Sequence, residues 1–364
     1  MDDPESRVLN LLERAVGAGV APGMVARWGR VGAEPLNVVV GYARLIPIGE
    51  PARDRSWFDL ASLTKPLVTT TLTLLAFRER LLRIGTKVGE VLCEVRGTDI
   101  GDLDIGQLLT HTSGLPAWLP LYCLAEGEPD RLAERLRSVR LVQPPGRRVV
   151  YSCVGFVILG MMLERSFGLP LASIFRDRVT NTLGMEGELG FSPDPVTHSL
   201  SGGAVSPVVE KRLVAELGMD GRWIPPMAPG LPDDGNARFL GGVAGNAGLF
   251  GTAAGVFLLA KEFLGGTLFD ADEIQIATTL STAGLEQARG MGWQIASSTG
   301  CSAGPSLSPE AFGHTGFTGV SVWIDPKIDG VFVLLTNRNH PAQRENDLHP
   351  LRRRFHALAR ESFR

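Results

Sequence analysis

Cysteine is scarce in this chain. The four present, Cys93, Cys123, Cys153 and Cys301, are widely and irregularly spaced. None forms a C-x-x-C pair and no histidine stands beside one at zinc spacing, which argues against a disulfide framework and a structural zinc site. All four are expected to be reduced, mostly core residues. An excess of charge is missing too: 36 Lys and Arg stand against 39 Asp and Glu, a formal net charge of -3 with a pI near 6.1. That balance excludes the electrostatic footprint of a nucleic-acid binder. The local exception, Arg352-Arg353-Arg354, reads as a solvated helix face.

Long apolar runs are also lacking. No stretch reaches the roughly 18 residues a membrane helix needs, so no membrane span is expected. The start, Met1-Asp2-Asp3-Pro4-Glu5, is acidic and does not have the basic-then-apolar profile of an export signal. As given, the chain is expected to be cytoplasmic, or periplasmic or extracellular if a signal peptide has been removed. There is no G-x-S-x-G elbow, no H-E-x-x-H and no G-x-x-x-x-G-K loop, so α/β-hydrolase, metallohydrolase and nucleotide-binding readings fall away. No metal and no cofactor are expected.

What is present is a chain of 364 residues, 44% hydrophobic and 21% charged, the balance of an ordinary globular protein large enough for two domains. Ser6 to Val16 carries apolar residues at helical spacing and stops at Gly17-Ala18-Gly19. Met24 to Trp28 and Leu36 to Tyr42 read as a β-hairpin. Short helices are expected over Leu103 to His111 and Cys153 to Phe167, within a mostly helical middle section. Residues 187 to 250 are loop-heavy, rich in proline and glycine. Strand chemistry returns at Gly290 to Ala296, Gly319 to Ile324 and Val331 to Leu335, and Arg344 to Phe363 closes as a helix. Strands at both ends with helices between predict an α/β (α+β) fold whose sheet is assembled from the two termini. The expected division is 1–85 with 285–364 as the sheet domain and 86–284 as the mostly helical one, with the active site in the cleft between them.

The chemistry is read from Phe58 to Pro66. Ser62 and Lys65 stand three apart, on one face of a helix that Pro66 places at its first turn and that the apolar run Leu67 to Leu82 continues. A hydroxyl at a helix start with an amine one turn on is a nucleophile with its base; the bland alternative is a helix cap and a solvated lysine. Tyr151, one of three tyrosines, stands in Tyr151-Ser152-Cys153 just before a helical run. Its phenol could shuttle a proton, or could simply be packed with its hydroxyl bonded to backbone. His314-Thr315-Gly316 precedes the strand Gly319 to Ile324 and could line one cleft wall, its glycine allowing close approach of a substrate. His111, His198, His340, His349 and His356 are read as structural.

Taken in order, Ser62-x-x-Lys65, Tyr151-Ser152-Cys153 and His314-Thr315-Gly316 resemble the three motifs of the serine β-lactamase and penicillin-binding-protein family, S-x-x-K, Y-x-N and K-T-G or H-T-G. The phrases Leu108 to Leu115, Gly242 to Phe250 and Gly313 to Gly319 add to the resemblance, which spans nearly the whole chain and is nearest the class C β-lactamase-like branch. That branch includes family VIII carboxylesterases, D-Ala-D-Ala carboxypeptidases and D-aminopeptidases. The resemblance implies a β-lactamase/transpeptidase-like fold, an antiparallel sheet flanked by terminal helices beside a mostly helical domain.

It further implies Ser62 as the acylated nucleophile, Lys65 as its base or the base's electrostatic partner, and Tyr151 as the group that protonates the leaving group and activates water. His314 and Thr315 would bind a substrate carboxylate or carbonyl, with Gly316 beside them. The backbone N–H groups of Ser62 and Phe317 would form the oxyanion hole. Two positions depart from the pattern. Cys153 stands where an asparagine usually meets the substrate amide, which favours esters over amides and β-lactams. His314 replaces the commoner lysine, removing a permanent cation unless its imidazole is protonated. The expected function is a serine hydrolase, a carboxylesterase on small or medium acyl esters, with D-Ala-D-Ala carboxypeptidase or β-lactamase as the alternative and a non-catalytic sensor or binding protein as the remote one. Its partner would be a small-molecule ester, peptide or β-lactam, with specificity shaped by residues 117–145 and 187–240.

Overall fold

A computed structural model describes residues 3–363 of the protein, so Met1 and Asp2 of the acidic start lie outside the described residues. Its main sheet is antiparallel and seven-stranded: β1 (Gly23–Arg30), β2 (Leu36–Arg44), β3 (Glu50–Pro51), β7 (Gln294–Ile295), β8 (Phe312–Thr315), β9 (Ser321–Asp325) and β10 (Gly330–Thr336) lie in the order β3-β2-β1-β10-β9-β8-β7. The first and last thirds of the chain therefore meet at the β1–β10 pair, where Met24 faces Thr336 and Arg30 faces Gly330. The three remaining strands, β4 (Phe58–Asp59), β5 (Leu189–Phe191) and β6 (Leu249–Gly251), form a second small sheet in the order β4-β6-β5.

Strand alternation sorts the core into two. Ala26 and Trp28 of β1 and Phe332 and Leu334 of β10 point to the side covered by the terminal helices Pro4–Gly17 and His349–Ala359, where they pack with Val8, Leu12 and Phe355. Trp28 and Phe355 meet edge to face, 5.8 Å between ring centroids. Val25, Val331, Val333 and Leu335 point to the other side, into a core continuous with the helical part of the molecule. The centre of that part is the helix Cys153–Phe167, started by Ser152, whose hydroxyl accepts from Gly155 N, and stopped by Gly168 in the left-handed region. It is apolar nearly all round because it is buried nearly all round.

Several expectations change here. The helix carrying Ser62 and Lys65 is not one regular α-helix: Ala61–Leu63 is a 3₁₀ turn, Lys65–Thr70 is π-helical, and only Thr71–Arg78 is α. Pro66 has no N–H to donate, and the wide turn lets Thr69 reach out to Gly245 O at 2.6 Å. The helix ends at Arg78 and not Leu82, since Arg80 is left-handed. The loop-heavy segment 187–250 holds a helix, Val208–Glu216, whose first turn projects into the cleft. The helix Ala253–Lys261, expected with the helical domain, packs on β1 and β10 of the main sheet. The Arg352 cluster is a solvated face only in part: Arg354 is exposed, but Arg352 is buried and donates to Gly319 O (2.8 Å) and Val320 O (3.2 Å), while Arg353 donates to Cys301 O (2.8 Å). These carbonyls belong to a turn and a loop, so the arginines of the last helix satisfy them. Of the cysteines, Cys123 and Cys301 are buried, Cys153 is partly so and Cys93 is exposed.

Candidate active site

The nucleophile's position follows from the small sheet. β4 delivers Asp59, and two residues later Ala61 turns into the left-handed region, φ 45°, to start the 3₁₀ turn carrying Ser62. A non-glycine residue in that conformation needs outside support. Asp59 supplies it. The carboxylate accepts from Ala61 N at 2.8 Å and from Asp233 N at 2.7 Å, while its backbone carbonyl accepts from the Thr318 hydroxyl at 2.7 Å. Burial pushes the Asp59 carboxyl up to about 7. Thr64 closes the turn from the other end by donating to Ala61 O at 2.6 Å.

Lys65 is fully buried and its ammonium group has three neighbours: Ser62 Oγ at 2.9 Å, Asn246 O at 3.0 Å and Cys153 Sγ at 3.4 Å. Asn246 reaches it because the 241–248 loop approaches the Cys153–Phe167 helix at Gly160 and Gly245; a Cβ on Gly245 would stand 2.0 Å from Phe156 O. The lysine Nζ also lies 5.0 Å from the Tyr151 ring centroid. Burial pulls the Lys65 pKa down, but the ionised forms of Cys153 and Tyr151 outweigh it, and the balance is upward. Burial raises Tyr151 and Cys153 in turn; Lys65 draws both down but does not outweigh it, and for both the balance is upward. The three groups therefore titrate as a coupled set.

His314 sits on β8, one strand earlier than expected, with Thr315 and Gly316 at the strand's end. A Cβ on Gly316 would meet Leu60 O at 3.0 Å and Ala61 Cβ at 3.2 Å, so only glycine lets β8 pass so close to the nucleophile turn. His314 Nδ1 lies 2.8 Å from Thr315 O and must be the protonated nitrogen, since a carbonyl only accepts. Burial first, then Lys65 and Arg289, hold its pKa well below the ordinary histidine value. His314 is consequently neutral, and its buried Nε2, which has no partner among the described residues, is an acceptor. The imidazolium cation that sequence reasoning left open here is absent in this state. Neither Ser62 N nor Phe317 N donates to a turn or loop carbonyl among the described residues.

Ser62, Tyr151, Cys153, His314, Thr315, Gly316 and Phe317 all line one cleft of about 520 Å³. Lys65 lies beneath it. The opposite wall comes from Trp118, Val209, Glu210, Leu213 and Asp233 to Gly235, and a rim from Arg338, Gln343 and Asn346 to His349. His111, read as structural, packs behind the tyrosine: its ring centroid is 4.6 Å from that of Tyr151, and its Nδ1 accepts from Ser152 N at 3.0 Å. His349, also read as structural, lines the cleft.

Sequence reasoning missed Asp59, the role of Asn246, and Arg289 and Arg352 in the cleft lining. Asp59 was visible as a lone acid in the apolar run Trp57 to Ala61, and Arg289 as a lone charge ahead of Gly290 to Ala296. Neither signal said what the residue would face.

The sequence model of the family described as Beta-lactamase matches residues 9–357. A putative D-alanyl-D-alanine carboxypeptidase of Escherichia coli K12 is 27% identical over 260 residues, 65% of this chain and 57% of that protein. The chain thus spans a little over half the length of that relative. An N-acetylmuramyl-L-alanine amidase of Bacillus subtilis strain 168 is 27% identical over 92% of this chain and 81% of its own. Among solved structures, EstCE1, a hydrolase with promiscuous acyltransferase activity, superposes with a TM-score of 0.74 at 22% identity, covering 98% of both chains. A class C β-lactamase gives 0.72 at 18% identity, also covering 98% of both.

Proposed function

The chain belongs to the β-lactamase family and is a serine hydrolase of that fold, and from that premise we propose that it is a carboxylesterase acting through an acyl-enzyme on Ser62. The observation that carries the reading is the Ser62–Lys65 hydrogen bond of 2.9 Å at the floor of a cleft in which Cys153 occupies the second-motif position. Ser62 Oγ attacks the ester carbonyl while its proton passes to the Lys65–Tyr151 pair. The carbonyl oxygen becomes an oxyanion held by the Ser62 and Phe317 N–H groups, each such donor being worth roughly 3 kcal/mol in the transition state. Collapse breaks the acyl–oxygen bond, and Tyr151 gives the departing alkoxide its proton. Water then enters, loses a proton to the same pair and releases the acid.

An ester fits this site better than an amide. Its alkoxide leaves with less help, and it has no N–H seeking the acceptor that an asparagine at position 153 would offer; a thiol is a weak partner for either end of an amide. Small or medium acyl groups suit a cleft of about 520 Å³. The named relatives keep D-Ala-D-Ala carboxypeptidase activity as a second reading.

Intact-mass spectrometry after incubation with p-nitrophenyl esters, a β-lactam and a D-Ala-D-Ala peptide separates the two. The expected result is an acyl adduct from the esters and a much slower one, or none, from the other two. Ser62→Ala should abolish the adduct and turnover while leaving the melting temperature near that of the wild type. An adduct on Ser62→Ala at the wild-type rate would overturn the assignment, and fast acylation by the peptide would move it to the carboxypeptidase.

A further inference from the structure

Asp59 is a buried carboxylic acid with no cation paired to it among the described residues. Burial first, and then the like charges of Asp233 and Asp234 on the segment facing it, push its pKa up. A group of this kind is unfavourable in a fold unless its acceptors are put to use. All three of them are. Oδ1 takes the Ala61 N–H at 2.8 Å, Oδ2 the Asp233 N–H at 2.7 Å, and the backbone carbonyl the Thr318 hydroxyl at 2.7 Å. An asparagine here offers one side-chain acceptor where the carboxylate offers two. What aspartate adds is a second donor held on a different segment of the chain.

Each of the three bonds ends beside something the reaction uses. Ala61 stands one residue before Ser62, and its left-handed backbone orients the peptide plane that carries the Ser62 N–H. Thr318 belongs to the tight turn from Gly316 to Gly319, closed by Gly319 N on Gly316 O at 3.0 Å, in which Phe317 N stands. The far side of that turn is fixed to the end of β10: Thr336 Oγ1 donates to Thr318 O at 2.8 Å and Arg338 Nε to Phe317 O at 2.8 Å. Its near side is fixed to the nucleophile segment by the Thr318 hydroxyl on Asp59 O and by Gly316 where it passes Leu60 O and Ala61. Asp233 leads into Asp234 and Gly235 on the facing wall of the cleft. One residue thus ties together both oxyanion donors and the wall across from them.

Resting on the reading that Ser62 is acylated, we propose that Asp59 is the positioning residue of the oxyanion hole: by holding Ala61 with its carboxylate and Thr318 with its carbonyl, it sets the separation and aim of the Ser62 and Phe317 N–H groups. β4 of the small sheet leads to one donor and β8 of the main sheet to the other, so no strand ladder fixes the distance between them. Asp59 does. As the Ser62 oxygen bonds to the acyl carbon, negative charge develops on the carbonyl oxygen, and donors already fixed in place stabilise it without rearranging. Asp59 itself gains and loses no proton in this role. Its bond to Asp233 N keeps the facing wall at a set distance, so the acyl group enters a hole of fixed shape.

The test compares wild type with Asp59→Asn, which leaves one of the two N–H groups without an acceptor, and with Thr318→Val, which removes the bond to Asp59 O and leaves the carboxylate alone. Three measurements are made on each: the rate of Ser62 labelling by a fluorophosphonate, read by intact mass; kcat and KM with a p-nitrophenyl ester; and Ki for a trifluoromethyl ketone, whose hemiketal oxygen carries the charge the hole receives. Misplaced donors should slow labelling and kcat by about tenfold or more in Asp59→Asn and raise Ki by a similar factor, with KM little changed. Thr318→Val should move labelling, kcat and Ki in the same direction by a smaller factor. A folded Asp59→Asn with the wild-type labelling rate and Ki overturns the inference, as does a joint rise of KM and Ki, which marks a substrate contact. If Asp59→Asn does not fold, Thr318→Val decides, and unchanged labelling and Ki there overturn it. A wild type that the fluorophosphonate does not label on Ser62 overturns the acyl-enzyme reading, whereas a labelled wild type with unchanged variants overturns this inference alone.

Discussion

Behind the cleft wall opposite Ser62, Arg238 is 1% exposed and pairs with Glu210, which lines the cleft and is 6% exposed. Arg238 also donates to Pro232 O at 3.0 Å and Asp233 O at 2.7 Å, and the Asp233 carboxylate accepts from Asn339 and Gln343. Single atoms there, Glu210 Oε1 and Arg238 Nε, lack partners, but every one of these charged groups has a countercharge or an amide against it. On the wall that carries Ser62 the pattern reverses. Arg289 and Arg352 have no carboxylate partner among the described residues, the Asn246 amide has both its side-chain atoms unpartnered, and His314 Nε2 accepts from nothing. Both walls bury polar groups, but one closes its network internally while the other leaves donors and acceptors open. A satisfied network holds a shape; open groups beside a nucleophile are where a substrate and a developing charge find theirs.

The comparison breaks most visibly if the closed wall proves dispensable to folding. Arg238→Met leaves Glu210 buried without its cation and two carbonyls without their donor, so we expect a loss of about 3–5 kcal/mol in stability, read by denaturant or thermal unfolding. The fraction still folded should take the Ser62 acyl label. An unchanged unfolding midpoint would mean that the opposite wall is no more structural than the reactive one.

Lys65→Ala addresses the open wall and should behave in the converse way. Acylation measured in the pre-steady state should slow on the order of 10²-fold or more, about 2.7 kcal/mol in the barrier, because the pair that receives the Ser62 proton is dismantled. The unfolding midpoint should move less than in Arg238→Met, since on the scaffold side the substitution removes chiefly the hydrogen bond to Asn246 O. Unchanged acylation would leave Tyr151 acting without the lysine.

The smallest effect sharpens the role of Cys153, whose sulfur lines the cleft 3.4 Å from Lys65 Nζ. Cys153→Asn restores an amide at that point and should raise acylation by β-lactams or D-Ala-D-Ala peptides relative to simple esters. One neutral hydrogen bond is worth about 0.5–1.5 kcal/mol, a few-fold to roughly tenfold in the ratio of kcat/KM values. A lower melting temperature with an unchanged ratio would place Cys153 with the packing of its helix and not with the substrate.

Much of the site was legible in the residues themselves because its motifs are local. Ser62 and Lys65 need only a helical spacing to meet, His314 to Gly316 need only a strand end, and Tyr151 needs only the capped start of the helix at Cys153. The two-ended sheet was legible for a similar reason: period-2 patterns at both termini and helical ones between have few ways to pack. What stayed hidden depends on who faces whom across long sequence separations. The π-helical turn after Lys65, the left-handed Ala61 held by Asp59, itself held by Asp233 N–H, and the Asn246 carbonyl on the ammonium exist only once the 241–248 loop and the small sheet have closed around the nucleophile.

Charge state was the least legible property of all. The sequence alone determined that His314 stands where a lysine is usual, and left open whether its imidazole carries the missing charge. Only the tertiary structure decided that it does not, by burying the ring in the field of Lys65 and Arg289, and that two arginines from distant segments line the same cleft with no carboxylate partner among the described residues. The reason is physical: composition fixes how many charges a chain has, but desolvation and the field of neighbours, set by packing, fix which of them are charged and what they act upon.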